Sequence, residues 1–300
     1  MKGFVNIYKP SGMTSSDVVV KVRGILRRAT GEKQKVGHLG TLDPLATGVL
    51  PIAIVNATRL FDYMQDKVKV YEATFKFGAT TDTLDSDGAV TDTQQISVCK
   101  DDIERILERL IGTVEQMPPQ YSAKSVGGRR AYDIAREGGI ADLKPKKVQI
   151  HSIDILGDAG QTIQLSRGAY TLDCNEFAFR IACGSGTYIR AIARDMANLL
   201  GTVGYMTSLC RIQSGTFVLE SVVSLKDFEA NPLPFIQPID IGLSDYPVVN
   251  LNRHDGERAL NGISIPYSDS VKFPFVVTVC GDTVGIGEII DGKLKLRTRL

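Results

Sequence analysis

Gly37-His38-Leu39-Gly40-Thr41-Leu42-Asp43-Pro44-Leu45-Ala46-Thr47-Gly48-Val49-Leu50 is the stretch on which the reading of this chain turns. Two glycines, Gly37 and Gly40, bracket a histidine, and glycine admits backbone conformations closed to other residues. Pro44 disfavours the helical region at the residue before it, so Asp43 is expected to be extended. A loop built this way can present one carboxylate into a cleft. The plainer alternative is an Asp-Pro step that only opens a turn, with His38 a satisfied loop residue, and these residues alone leave both open.

Working outward, Phe4 to Tyr8 reads as a strand and Pro10-Ser11-Gly12 as a turn. Ser16 or Asp17 is then expected to cap a helix with apolar positions Val18, Val22, Ile25 and Leu26. Residues 29–47 read as loop. From Val70 to Phe77 the residues alternate, Tyr71, Ala73, Phe75 and Phe77 on one face and Glu72, Thr74 and Lys76 on the other, which predicts a half-buried strand. Ile103, Ile106, Leu107 and Leu110 repeat at helical spacing before Gly112. Further strands are expected over Val148 to Leu156 and Glu176 to Cys183, and a helix capped by Thr187 over Tyr188 to Leu200. The fold class is α+β: a mixed, largely antiparallel central sheet flanked by helices. Prolines 232, 234, 238 and 247 mark a linker. Beyond it, Val248 to Leu300 shows short strands with glycine turns around one helical stretch near Asp255 to Leu260, which suggests a small β-barrel-like domain. The expected units are 1–235, a linker over 236–247, and 248–300.

The chain has 300 residues, 43% hydrophobic and 23% charged, which excludes disorder, collagen and a membrane bundle. The longest apolar run, Gly48 to Val55, is broken by Pro51 and is far shorter than the roughly 20 residues that span a bilayer. Met1 to Pro10 has no apolar core of a secretory leader, so a cytoplasmic location is expected. Cys99, Cys174, Cys183, Cys210 and Cys280 form no C-x-x-C pair and have no histidine at ligand spacing, so buried free thiols and no metal are expected. The net charge of +1 hides patches: residues 1–60 hold nine Lys or Arg against three acids, residues 121–151 seven against three, and residues 82–115 three against nine. Two basic segments on one face would make a nucleic-acid footprint; scattered, they are ordinary solvated charge.

Taken whole, the fourteen residues from Gly37 to Leu50 resemble the signature of the TruB family of tRNA pseudouridine-55 synthases, in which the aspartate is catalytic. Tyr8-Lys9-Pro10-Ser11-Gly12-Met13-Thr14-Ser15 is similar to a segment that supports the family's active-site loop. Tyr71 matches its active-site tyrosine. Gly186-Thr187-Tyr188-Ile189-Arg190 matches a motif whose tyrosine lies at the base pocket and whose arginine pairs with the catalytic carboxylate. Leu209, in Ser208-Leu209-Cys210-Arg211, falls where the family places an apolar contact to the base. Pro119-Gln120-Tyr121-Ser122-Ala123-Lys124 resembles the lead-in to an RNA-clamping insertion, placed here near 118–148, and Ser244 to Leu251 resembles the entry to a compact PUA domain.

The resemblance implies a pseudouridine synthase fold with a C-terminal PUA-like RNA-binding domain. Asp43, Tyr71 and Arg190 would be catalytic, and His38, Tyr188, Leu209 and Lys9 would bind substrate. Lys124, Arg129, Arg130, Lys146 and Lys147 would contact the RNA backbone. The partner would be tRNA, its T-arm at the catalytic domain and its acceptor end at the C-terminal domain, with no membrane or protein partner and a monomeric enzyme.

The residue chemistry agrees. Isomerising uridine breaks the N1 glycosidic bond, turns the base and joins C5 to C1′; no atoms are gained, so no cofactor is needed. An aspartate can act on the sugar as nucleophile or as base. A base inside a folded arm is first extruded, at a few kcal/mol, and Tyr71 offers a stacking face and a phenol for the proton at C5. An ordinary core tyrosine at a strand start is the plainer reading of Tyr71 without the motif. The run from Thr81 to Gly88 hints at a calcium loop, but taking Gly88 as position six puts Thr83 at position one and Gln94 at position twelve, where carboxylates are required. Gly184-x-Gly186 lacks the rest of a dinucleotide fingerprint. His38, His151 and His254 give no support for a hydrolase triad, since no G-x-S-x-G occurs. A non-catalytic tRNA-binding or RNA-folding protein using the same cleft is the alternative, and a pure binder has no need of a carboxylate facing phosphates.

Overall fold

The Asp43 loop leads into an eight-residue strand, Thr47–Ile54, in which every residue is buried. The computed structural model describes residues 2–65, 67–166 and 168–300. In chain order the principal elements of the larger part are β1 (Gly3–Lys9), α1 (Ser15–Thr30), β2 (Thr47–Ile54), β3 (Lys69–Phe77), α2 (Lys100–Leu107), β4 (Gly112–Gln116), β5 (Lys146–Gly157), β6 (Glu176–Cys183), α3 (Ile189–Leu199) and β7 (Gly204–Ser214). The strands lie in the order β1-β2-β7-β3-β6-β5-β4, with short strands Val36–His38 beside β2 and Phe217–Val218 beside β7. Among the described residues of this sheet, only β7 on β2 is a parallel pair; the others are antiparallel. Helical residues Val18, Val22, Ile25, Ile103, Ile192 and Met196 pack with Tyr71, Phe75, Phe179 and Ile181 of the sheet in one core. The mixed, largely antiparallel sheet flanked by helices is the one the patterning implies.

Local chemistry moves several expected boundaries. Thr14, rather than Ser16 or Asp17, caps α1: its hydroxyl accepts the Asp17 N–H at 3.1 Å while the Asp17 carboxylate accepts the Thr14 N–H at 2.9 Å. Asp17 is the reciprocal partner of that box, which is why it reads as a cap. The span 29–47 is not all loop, since α1 reaches Thr30 and Val36–His38 pairs with Ile52–Ile54. Thr187 does not cap α3; its hydroxyl donates to the Gly184 carbonyl at 3.0 Å, and Tyr188 takes the cap position with no side-chain cap.

β3 is not half-exposed either. Its apolar face is buried as expected, but Glu72 and Thr74 on the other face are 2% and 0% exposed. A hairpin of Thr162–Leu165 and Gly168–Thr171 covers them, and the Ser166 N–H and hydroxyl donate to Glu72 at 2.7 and 2.8 Å while Arg180 pairs with it at 2.9 Å. A polar residue facing a polar lid gives the same alternation as one facing water. Nor are all the cysteines buried: Cys183 and Cys210 are, whereas Cys99, Cys174 and Cys280 are exposed.

The C-terminal elements are β8 (Val248–Leu251), α4 (Arg253–Leu260), β9 (Ile265–Pro266), β10 (Phe275–Val279), β11 (Asp282–Ile290) and β12 (Lys293–Arg299), ordered β8-β10-β11-β12-β9. Val249, Leu251, Ala259, Phe275, Val277 and Leu294 form a core of their own. Val276 and Ile286 turn the other way, into a cluster with Phe4, Val49, Leu60, Phe217, Ile239 and Leu243. The proline-rich stretch between is fastened down: Gln237 exchanges both backbone hydrogen bonds with Phe4, at 2.9 and 2.7 Å, and Asp245 pairs with Lys67 at 2.6 Å.

Two buried cations hold the Asp43 loop by its carbonyls, because a loop without ladder partners still needs its backbone polar groups satisfied. Lys9, fully buried, donates to Pro10, Pro44 and Ala46 carbonyls at 2.8, 3.0 and 2.6 Å. Arg211, also fully buried, donates to Gly40, Thr41 and Val49 carbonyls at 3.1, 3.4 and 2.8 Å. Ser15 clamps Leu42 from both sides, accepting its N–H at 2.8 Å and donating to its carbonyl at 3.1 Å. The parallel contact of β2 with β7 requires a glycine: Gly48 has φ +104°, and a Cβ there would lie 2.2 Å from the Arg211 carbonyl oxygen.

Gly48→Ala is therefore expected to destabilise the protein by about 3 kcal/mol or more, read as a fall in the urea midpoint; a loss below about 1 kcal/mol would show that the two strands can part cheaply. Burial lowers the Lys9 ammonium from 10.5 to about 8, with Asp43 acting in the opposite sense. Because the folded value lies below the unfolded one, the unfolded chain binds more protons between pH 8 and 10.5, and stability contributed at Lys9 rises with pH across that window. Wild type should gain on Lys9→Met by up to about 3 kcal/mol between pH 8 and 10.5; a constant difference across the series would refute the assignment.

Candidate active site

Asp43 meets Arg190 in a two-pronged pair. The arginine donates Nε to one carboxylate oxygen at 3.0 Å and Nη2 to the other at 2.9 Å. The two come from opposite ends of the larger part, Asp43 from the loop before β2 and Arg190 from the first turn of α3. The arginine side chain is 6% exposed and the carboxylate 30%, so the anion faces outward from a buried cation. The guanidinium's other N–H groups also find acceptors: Nη1 donates to the Thr83 carbonyl at 2.8 Å and lies 3.4 Å from Asp85, and Nη2 donates to the Tyr121 carbonyl at 3.1 Å. A planar fork with its donors all engaged has one orientation.

Asp85 is a member of this site that the sequence reading passes over. Its carboxylate accepts the Thr83 hydroxyl at 2.6 Å and the Asp87 N–H at 3.2 Å, and burial pushes it above the usual carboxylate range, against the pull of Thr83 and Arg190. The only local signal was the failed calcium-loop pattern over Thr81 to Gly88; the acids there close a turn and reach Arg190. Among the described residues no cluster of His, Cys, Asp and Glu is placed to hold a metal.

Tyr71 and Leu209 lie on neighbouring strands, Tyr71 near enough to Asp43 to feel its charge. In register, Tyr71 of β3 faces Arg211 of β7 and Ala73 faces Leu209, so all four share one face of the sheet. Tyr71 is 6% exposed. Burial raises its phenol, and the Arg211 guanidinium alongside pulls it back. His38 ends the short strand that leads into the loop, with Nδ1 accepting the Gly40 N–H at 3.4 Å, and burial and Arg211 hold its imidazole below the ordinary value. Tyr188 is half-buried at the start of α3. Lys9 sits beneath the loop with its ammonium on the Pro44 and Ala46 carbonyls of the loop and on the neighbouring Pro10 carbonyl, which makes it a strut for the loop and takes it out of the basic surface counted from the sequence.

The insertion leaves the sheet at Gln116 and returns at Lys146, which face each other in register. It carries a small hairpin, Ser125–Val126 with Arg129–Arg130, and a helical turn over Ala131–Arg136. Arg129 and Arg130 are exposed and paired within the insertion, to Glu137 at 2.6 Å and Asp133 at 3.0 Å. Lys124 is half-buried and Lys146 and Lys147 are exposed. The Lys146 ammonium reaches the loop ahead of Tyr188, since a Cβ on Gly186 would lie 2.8 Å from it. Arg211 and Gln116, which fasten the loop and the start of α3, carried no sequence signal.

Residues 27–189 match the model of the TruB family pseudouridylate synthases, N-terminal domain. The tRNA pseudouridine synthase B of Clostridium kluyveri is 40% identical over 266 residues, covering 88% of this chain and 86% of its own. That of Clostridium perfringens is 34% identical over 310 residues, covering 100% and 99%. Among solved structures, the fold is shared with a Cbf5-Nop10-Gar1 complex (TM-score 0.69, 21% identity, 99% of this chain and 79% of that one) and with an H/ACA RNP bound to a substrate RNA containing 2′-deoxyuridine (TM-score 0.70, 19% identity, 99% and 84%). With a family model matching over half its length and relatives of 34–40% identity along most of it, the chain belongs to the TruB family of pseudouridylate synthases.

Proposed function

We propose that the protein isomerises uridine 55 in the T-arm of tRNA to pseudouridine, with Asp43, Tyr71 and Arg190 as the catalytic residues. The observation that carries this reading is the outward-facing Asp43 carboxylate clamped on both oxygens by a buried arginine. The target base leaves the stack and enters beside Tyr188 and Leu209, with His38 at the loop's entry and Lys9 holding the loop from below. Asp43 acts on the sugar, as nucleophile or as base, while the N1–C1′ bond breaks. The base turns, C5 joins C1′, the proton on C5 leaves through the Tyr71 hydroxyl and N1 gains a proton. Reactant and product have the same atoms, so the chain needs no cofactor, and we read it as a cytoplasmic monomer whose partner is tRNA. A non-catalytic tRNA-folding role has no observation in its favour, because the site is built around a carboxylate that a pure binder would do better without.

The proposed organisation places the catalytic domain at 1–235, with the RNA clamp near 118–148, a linker over 236–247, and a PUA-like module at 248–300 that grips the acceptor end. Lys124, Arg129, Arg130, Lys146 and Lys147 are the proposed backbone contacts. The ion pairs of Arg129 and Arg130 are solvent-exposed and so of little net value, which leaves both free to exchange a carboxylate for a phosphate.

Asp43→Asn is expected to lower turnover of unmodified tRNA by at least roughly a hundredfold while affinity stays within a few fold, because the near-isosteric amide removes the charge that acts on the sugar and one of the two Arg190 bonds but leaves the RNA-contacting surface in place. Nucleoside analysis after incubation with tRNA decides this, and near-wild-type product from the variant would sink the assignment. In the same assay Tyr71→Phe should bind RNA and turn over slowly, whereas Tyr71→Leu should also lose stacking; fast turnover in both would place the site elsewhere. Replacing Arg129, Arg130, Lys146 and Lys147 by glutamate should weaken tRNA binding and flatten its salt dependence, by about 0.9 in log–log slope for each phosphate that the protein no longer neutralises. An unchanged slope across a salt series would remove these residues from the footprint.

A further inference from the structure

We propose that Gln116 is a positioning residue for the base pocket: its side-chain amide fixes the backbone of Tyr188 and ties the root of the RNA clamp to the reacting site. This rests on the reading of Tyr188 as a pocket residue. Gln116 is the last residue of β4 and is 2% exposed. Its Oε1 accepts the Tyr188 N–H at 2.8 Å and its Nε2 donates to the Tyr188 carbonyl at 3.2 Å. One side chain thus makes both hydrogen bonds that a neighbouring strand would make to that residue. A primary amide carries a donor and an acceptor on one planar end at every pH, whereas an ionised glutamate can keep only the first bond and leucine neither. Tyr188 stands at the cap position of α3 with φ −98° and ψ 110° and no side-chain cap; its carbonyl also accepts the Ala191 and Ile192 N–H groups at 3.0 and 3.2 Å, so the bond to its N–H is the one that Gln116 supplies and the helix does not.

The amide is one of a row of fastenings. Arg190 donates to the Tyr121 carbonyl at 3.1 Å, and Arg194 donates to the Met117 carbonyl at 2.8 Å. Residues 116–121 are therefore fixed to α3 at 188, 190 and 194. The first of these is the proposed pocket residue and the second holds Asp43. From the other end of the same segment the insertion projects, its Tyr121 ring set edge-on to Tyr132 with centroids 6.0 Å apart. A movement of the clamp root cannot leave the start of α3 where it was, and Gln116 is the contact that passes it to Tyr188.

The test compares wild type with Gln116→Leu, Gln116→Glu, Tyr188→Ala, Asp43→Asn and the double variant Gln116→Leu/Tyr188→Ala on unmodified tRNA, recording kcat, KM, tRNA affinity and thermal midpoint. Gln116→Leu should lower kcat by about tenfold or more, with KM and affinity within about threefold, since small displacements of a reacting group are costly to rate. Gln116→Glu should fall between it and wild type. If Gln116 acts through Tyr188, the double variant is no slower than Tyr188→Ala alone, a coupling that a purely structural role would not show. Additive losses, or an unchanged kcat in Gln116→Leu while Tyr188→Ala is impaired, would overturn the proposal. Should Gln116→Leu fail to fold, Gln116→Glu decides across a pH series: kcat equal to wild type at every pH overturns the proposal, and kcat that falls as the introduced carboxyl ionises, at unchanged affinity, supports it. Wild-type turnover in Tyr188→Ala or Asp43→Asn marks a failure of the underlying site reading instead.

Discussion

A buried guanidinium must have its N–H groups satisfied, and the structure around Arg190 is arranged to meet that demand. Stripping one partner from a buried ion pair typically costs about 3–5 kcal/mol, because the remaining charge has nowhere to go. The acceptors come from three stretches far apart in sequence: the Asp43 loop, the Thr83–Asp85 turn and Tyr121 at the root of the insertion. Each must be in place for the arginine to be buried at all. The same requirement that stabilises the interior therefore aims the Asp43 carboxylate, and precision at the site follows from satisfaction of the core.

The loop is held from its other side by charge as well. Lys9 and Arg211 are fully buried and direct their donors to carbonyls on either side of Asp43. Carbonyls without strand neighbours would otherwise need water, and water under the loop would let it shift. A cation serves better than a neutral donor because charge-assisted bonds are shorter and about twice as strong. Three buried cations thus converge on one short segment that carries a single carboxylate, so positive charge is concentrated at the site although the chain as a whole carries only +1.

Periodicity was enough to place the sheet and α1, because Val18, Val22, Ile25 and Leu26 recur at the spacing of one helical face and all are buried. It failed where burial was polar: Glu72 faces a hairpin lid, and a lid of hydrogen bonders leaves the same trace in the sequence as solvent. The candidate site was legible only through resemblance, since Asp-Pro between glycines also describes a plain turn. Asp85, Arg211 and Gln116 escaped because their partners lie far along the chain. The contacts of Gln116 with Tyr188 span 72 residues and those of Arg190 with Thr83 span 107, and no local pattern encodes a partner at that separation. The cap at Thr14 escaped for the opposite reason, its two reciprocal bonds lying within four residues where either end reads as the cap.

If the insertion is the RNA clamp proposed above, its surface charges argue for recognition by shape. Arg129 and Arg130 are already matched by Glu137 and Asp133, so until an RNA backbone displaces those acids the long-range pull of residues 121–151, seven basic against three acidic, comes from the other five basic residues. Each exchange of a solvated carboxylate for a phosphate is nearly neutral unless several occur at once in a fixed geometry. Extruding a base from a folded arm costs a few kcal/mol, and only an RNA that fits every contact together can offset it. A strongly basic face would bind any RNA and hold it unproductively. On the proposed reading, pre-paired arginines on an insertion fastened to the start of α3 would let the fit of the backbone, and the seating of one base beside Asp43, arise from the same docking event.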